Sequence, residues 1–220
     1  GGQGQVQALM KGSLHTDELV SAVLNAEAGL RTKRRLSHCF VMQTPAYPRP
    51  FIITDAAINI APTLEQKADI VRNAITLAHA IGVEQPRVAI LAAVETVNPA
   101  MPATLDAAAL CKMADRGQIT GGVLDGPLAF DNAVSIAAAR TKGIASPVAG
   151  QADVLVVPDL ESGNMLAKQL IYLGNAESAG VVLGAKVPII LTSRADSRET
   201  RLASCAIALL LAHRYRQIPP

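Results

Sequence analysis

The stretch Val187-Pro-Ile-Ile-Leu-Thr-Ser-Arg-Ala-Asp-Ser197 decides how this chain is read. An apolar strand pattern stops at Thr192-Ser193-Arg194, and a helical pattern starts directly after it, over Ser197–Tyr215. A hydroxyl, a guanidinium and the open N-terminus of a helix are thereby gathered at one strand end. Unsatisfied helix N–H groups, a fixed cation and a hydroxyl donor are the means by which a chain grips an anion. In open α/β sheets, ligands also bind beyond the carboxyl ends of strands. The run therefore predicts a phosphate or acyl-phosphate site.

Outward from this point the same cycle recurs. Val6–Met10, Val88–Ala93, Ile119–Leu124, Val154–Val157, Val181–Leu183 and Ile189–Leu191 have the short apolar pattern of strands. Ser37–Thr44 and Phe51–Thr54 are two more strands, flanking a turn rich in proline (Pro45, Pro48, Pro50). Helices are expected at Thr16–Ala28, Leu64–Ile81, Leu105–Asp115, Ala129–Ala139 and Glu161–Leu173. Thr16 is placed at the first helix's N-cap, and glycines close several of the others. This cycle predicts an α/β protein with a mostly parallel sheet and helices on both faces.

The composition fits. Of 220 residues, 50% are hydrophobic but only 3% aromatic, with no Trp, so the core must be built from Ala, Val, Ile and Leu. A net charge of +2, with no basic run interleaved with aromatics, gives no reason to expect nucleic acid. The cluster Arg31–Arg35 is taken as a solvated loop or helix end. The longest apolar stretches are too short to span a bilayer, and no signal peptide is visible. Cys39, Cys111 and Cys205 are odd in number and lie in apolar surroundings, as reduced thiols of a cytoplasmic protein do. The opening Gly-Gly, with no initiator Met, suggests a segment of a longer chain.

Other strand ends carry chemistry too. In Lys11-Gly-Ser-Leu-His-Thr16, Lys11 supplies charge, Gly12 allows close backbone approach, and Ser13, His15 and Thr16 offer polar groups near a helix start. Glu95–Pro102, with Asn98, Asp125–Asp131, and Pro158–Asn164 each put an acid or amide directly past a predicted strand. Asn98, Asp131 and Glu161 can also be explained as turn, cap or first-turn residues. Asp196 and Glu199 have the spacing of a capping-box-like pair. The four histidines are scattered, without zinc-like spacing, and no Walker loop, GxSxG elbow or GxGxxG follows a strand.

These segments resemble the phosphate acetyltransferase and phosphate butyryltransferase family. The resemblance rests on Lys11–Thr16, Asn98-Pro-Ala-Met-Pro-Ala-Thr104, Asp125-Gly-Pro-Leu-Ala-Phe-Asp131, Ser146–Asn164 and Leu191–Ser197, in family order over nearly the whole chain. It implies the two-lobed architecture of isocitrate and isopropylmalate dehydrogenases, with residues 1–34 and 150–220 in one incomplete lobe and 35–149 in the other. It also implies a further N-terminal segment, absent from this sequence. The implied reaction is reversible acyl transfer between coenzyme A and inorganic phosphate through a ternary complex, without metal or cofactor, in a homodimer or larger homo-oligomer. Ser193, Arg194 and Asp196 would be catalytic, with Asp196 as base. Lys11, Gly12, Ser13, His15, Thr16, Asn98, Asp125 and Asn164 would bind substrate. The acetyl branch has its acid seven positions after the serine, where this chain has Thr200. An inactive fragment that binds coenzyme A or phosphate, and a metal-dependent dehydrogenase of the same fold, are the alternatives.

Overall fold

The computed structural model describes residues 6–193 and 195–220. In chain order the elements are β1 (Leu9–Met10), α1 (Thr16–Leu24), a short 3-10 turn (Ala26–Ala28), β2 (Ser37–Gln43), β3 (Phe51–Thr54), α2 (Leu64–Ala80), β4 (Arg87–Leu91) and α3 (Pro102–Asp115). They continue with β5 (Val123–Leu128), α4 (Phe130–Val134), α5 (Ile136–Thr141), β6 (Val154–Val156), α6 (Leu160–Leu173), β7 (Glu177–Leu183), β8 (Ile189–Ile190) and α7 (Arg198–Gln217).

The strands form one eight-stranded sheet in the order β1-β8-β7-β2-β3-β6-β4-β5. The β3-β6-β4-β5 half is parallel, as the alternating pattern predicts. The centre is not: β8-β7, β7-β2 and β2-β3 are antiparallel, and β1-β8 is parallel again. The sheet is therefore mixed. The Pro-rich turn makes β2 and β3 a hairpin, and β7 adds to β2 along seven residue pairs, Ser37↔Leu183 through Gln43↔Glu177. Pairing direction depends on partners far apart in sequence, which periodicity does not report.

Local chemistry sets the boundaries. Thr63 caps α2 reciprocally with Gln66, and Gly82 adopts φ +92° just past its end. Ser197 caps α7 through the Thr200 N–H, so Asp196 is not the cap that its spacing suggested. His15, not Thr16, precedes the first turn of α1, with its N–H bonded to Glu18. The expected Ala129–Ala139 helix is two helices, broken at Ser135, whose hydroxyl caps the second. The fifth strand lies at Val123–Leu128, later than predicted, so Asp125 is inside the strand rather than beyond it.

Helices cover both faces. Leu77 of α2, Leu110 of α3 and Leu211 of α7 pack with Val88, Val154 and Val181 on one side. Ala133 of α4, Ala139 of α5 and Ala167 of α6 pack with Ile53, Ala89 and Leu155 on the other. On that second side α1 forms a separate cluster, in which Val23 meets Val182 and Ile189. The strip between α1 and α6, where His38, Phe40, Gly180 and Ser178 share one face of β2 and β7, is where the cavity opens.

Candidate active site

Lys11 and Ser193 meet because β1 and β8 are parallel neighbours. Their ends point the same way, and the Lys11 N–H bonds the Ile190 carbonyl at 2.9 Å. Residues of both loops, Lys11 and Ser13–Thr16 from the first and Leu191–Ser193 and Ala195–Ser197 from the second, border one cavity of about 950 Å³. Its polar lining includes Lys11, Ser13, His15, Thr16, Ser193 and Asp196, and Asn164 of α6. Its walls are largely apolar, built from Leu14, Phe40, Leu160, Ile171, Tyr172 and Leu191.

Three helices, α1, α6 and α7, begin at this cavity, contributing Thr16, Leu160 and Glu199 from their first turns. Each N-terminus carries about half a positive charge, with Asp159 and Ser197 each capping one N–H of α6 and α7. Lys11 and Lys168 add full charges, set against Glu177, Asp196 and Glu199. A polar end that favours anions and a wall that favours hydrocarbon suit a ligand carrying both.

The Ser193 loop is folded on itself. The Ser193 N–H donates to Asp196 Oδ2 at 2.6 Å, the Asp196 N–H to the Ser193 carbonyl at 3.2 Å, and the Ala195 N–H to Ser193 Oγ at 3.3 Å. Asp196 is therefore an anchor for Ser193 as well as a charge beside it. Arg194, singled out from the sequence, lies outside the described residues. Gly12 stands among the polar groups with open space where a Cβ would sit. Asn164 Nδ2 donates to the Ala56 carbonyl, which fixes the start of α6.

Two expected residues are elsewhere. Asn98 heads α3 in a turn, its Oδ1 accepting from the Ala100 N–H at 2.9 Å. Asp125 lies on β5, the edge strand farthest from β1, and accepts from the Gly126 N–H. Neither borders the cavity.

The structure adds His38, which sequence reasoning passed over as one more scattered histidine. The ring is fully buried, and neither nitrogen has a hydrogen-bond partner among the described residues. It packs edge-on against Phe40, 4.4 Å between centroids, and borders the cavity. A polar residue inside an otherwise apolar strand, Ser37–Gln43, was the available signal. Burial pushes the imidazole below its ordinary range, while the carboxylates of Asp55 and Asp196 and the nearby Leu191 carbonyl pull it back up. Asp55 is itself buried, its carboxyl oxygens accepting from the N–H groups of Ala57, Ile58 and Asn59 and from Asn59 Nδ2.

A group whose native pKa is depressed binds its proton more readily when unfolded. His38 therefore favours the folded state above the unfolded imidazole pKa of about 6.5, and this contribution falls as pH drops below it, by up to about 1.4 kcal/mol per pH unit. Urea unfolding of the unaltered chain and of His38→Gln at pH 5.5 and 7.5 checks this. The unaltered chain is expected to lose more stability between the two.

The other reactive groups are quiet. Burial raises the Cys39 and Cys111 thiols to about 12, so neither supplies a thiolate near neutral pH. Among the described residues no helix is long and apolar enough to cross a membrane, and no three His, Cys, Asp or Glu side chains are grouped to hold a metal.

A family model described as "Phosphate acetyl/butaryl transferase" matches residues 2–209. A phosphate acetyltransferase of Rickettsia prowazekii (strain Madrid E) is 69% identical over 93% of this chain and 58% of its own length. A phosphate butyryltransferase of Clostridium acetobutylicum is 48% identical over 95% of this chain and 69% of its own length. Among solved structures, a branched-chain phosphotransacylase from Enterococcus faecalis V583 superposes with a TM-score of 0.88 at 38% identity, covering 96% of this chain and 75% of that one. The chain thus spans little more than half of the first of these relatives.

Proposed function

Because the chain belongs to the phosphate acetyl/butyryl transferase family, we propose that its cavity transfers a short acyl group, acetyl or butyryl, reversibly between coenzyme A and inorganic phosphate. The observation that carries this reading is the meeting of Lys11, Ser193 and the N-termini of α1 and α7 at one cavity with partly apolar walls. Phosphate and the phosphates of an acyl donor suit the polar end, and the acyl chain suits the wall of Phe40, Ile171 and Leu191. Coenzyme A is a substrate here, not a resident cofactor.

In this reading both substrates are bound together and no covalent enzyme intermediate forms. The thiolate sulfur attacks the acyl carbon, the carbon–oxygen bond to phosphate breaks, and phosphate leaves with the electron pair. Ser193 and its neighbour Arg194 hold the phosphoryl group, and Asp196 keeps Ser193 in place. Ser13, Thr16 and the backbone at Gly12 offer donors for the developing oxyanion. Asn164 shapes the facing wall. The two-lobed division, 1–34 with 150–220 against 35–149, and assembly into a homo-oligomer belong to the same proposal, as does a cytoplasmic setting in which the three free thiols stay reduced.

Release of coenzyme A thiol from acetyl-CoA and butyryl-CoA, with and without phosphate, tests it. Phosphate-dependent release supports acyl transfer and ranks the two chains. Coenzyme A binding without release would mean that the parts of the relatives beyond this chain are needed to complete the site. Lys11→Ala is expected to raise the KM for phosphate roughly 10- to 100-fold, the loss of one charge-assisted bond of about 1.5–3 kcal/mol. The same assay, run over a phosphate series, reads it.

A further inference from the structure

The geometry points to His38 as a catalytic residue of this acyl transfer, the group that takes the thiol proton and delivers it to the departing phosphate. This assignment rests on the acyltransferase reading above.

A buried imidazole with no well-formed hydrogen bond at either nitrogen, only the Leu191 carbonyl lying close, is a costly arrangement, since a buried polar group left unmet loses what water would give it. A neutral ring has one lone pair and one N–H, and the proposed reaction brings one group for each. The thiol has a proton to give, and a phosphate oxygen can accept one. The site also makes room for the ring. At Gly180, across the pair from Phe40, a Cβ would stand 2.9 Å from His38 Nε2 and 2.7 Å from the Leu191 carbonyl oxygen.

The other titratable groups at the cavity are less suited. Asp196 Oδ2 is already engaged by a 2.6 Å bond from the Ser193 N–H, as the anchor of that loop. Glu199 lies exposed in the first turn of α7. Glu177 and His15 are exposed, and Lys11 and Lys168 are cations. His38 alone combines burial, a free lone pair and flanking anions. Asp55 faces it from the end of β3 and Asp196 from the loop before α7, so an imidazolium formed during turnover is stabilised.

The step balances. The S–H bond breaks as an N–H bond forms on the ring, and the thiolate attacks the acyl carbon. The carbon–oxygen bond breaks towards phosphate, and the imidazolium returns its proton to a phosphate oxygen. The ring ends neutral, as it began.

The test follows acetyl-CoA formation from acetyl phosphate and coenzyme A across pH 5–9, in the unaltered chain and in His38→Gln, with thermal unfolding as a fold control. The expected result is a kcat lower by about 10²–10⁴-fold in the folded variant, without the acid limb shown by the unaltered chain. Retention of both rate and acid limb in His38→Gln overturns the assignment and leaves the acyltransferase reading standing. Coenzyme A binding without turnover by the unaltered chain passes the decision to nitrogen NMR, and the absence of both binding and turnover overturns the two together. Should the variant fail to fold, nitrogen NMR of the unaltered chain decides. His38 ring signals are expected to shift when coenzyme A is added, and signals that stay put overturn the assignment.

Discussion

Ser193→Ala is expected to lower kcat by about 10²–10³-fold while leaving the thermal midpoint unchanged, the loss associated with removing one preorganised donor to developing charge. Ser193 is exposed at the cavity, and among the described residues its hydroxyl accepts a single 3.3 Å bond, from the Ala195 N–H, so little of the fold depends on it. The backbone of the loop is held independently, by the Ser193 N–H on Asp196. Truncation therefore removes a donor and keeps its scaffold. The assay is phosphate-dependent release of coenzyme A, with thermal unfolding beside it. A rate within threefold of the unaltered chain would remove Ser193 from the reacting groups. A large drop in thermal midpoint would assign it a structural role instead.

Gly180→Ala is expected to cost both stability and activity. The added Cβ would meet the Leu191 carbonyl oxygen at 2.7 Å and His38 Nε2 at 2.9 Å. The first is backbone and the second a buried ring, so neither yields as the end of a long side chain would. Gly180 is also pinned on its other side, its N–H donating to the buried Ser204 hydroxyl of α7 at 2.9 Å, and that hydroxyl donates on to the Thr200 carbonyl. The strand cannot back away without breaking that link. Overpacking of this kind costs about 1–3 kcal/mol, a fall of about 2–12 °C in thermal midpoint for a chain of this length. The displaced Leu191 leads directly into Ser193, so activity should fall further than stability explains. Gly12→Ala is the contrast: a Cβ there meets nothing within 4 Å, and the thermal midpoint is expected to hold. Equal midpoints for Gly180→Ala and the unaltered chain would show that the sheet accommodates the methyl group.

Much of the candidate site was legible because its signals are local. Lys11, Ser13, Thr16, Ser193 and Asp196 each lie at a junction where an apolar run meets a helix start, and both junctions are visible over a few residues. Capping deceived where two readings shared one spacing. Asp196 to Glu199 has the spacing of a cap pair, yet Ser197 caps α7 and Asp196 turns back to the Ser193 amide. Asn98 and Asp125 lie away from this cavity, since a polar residue near a strand end need not face it.

The sequence by itself determined the alternation of strands and helices, an aliphatic core and the clustering of anion-binding chemistry at Lys11–Thr16 and Leu191–Ser197. Periodicity, capping and turn chemistry act over a few residues, so they can be read in order along the chain. Only the tertiary structure decided that β2, β7 and β8 run antiparallel at the centre of the sheet, that β1 beside β8 brings the two loops together, and that His38 lies beneath them. Those outcomes depend on which distant strands pair and which faces the helices leave uncovered. Such pairings are set by the packing of the whole core, and a local pattern carries no record of them.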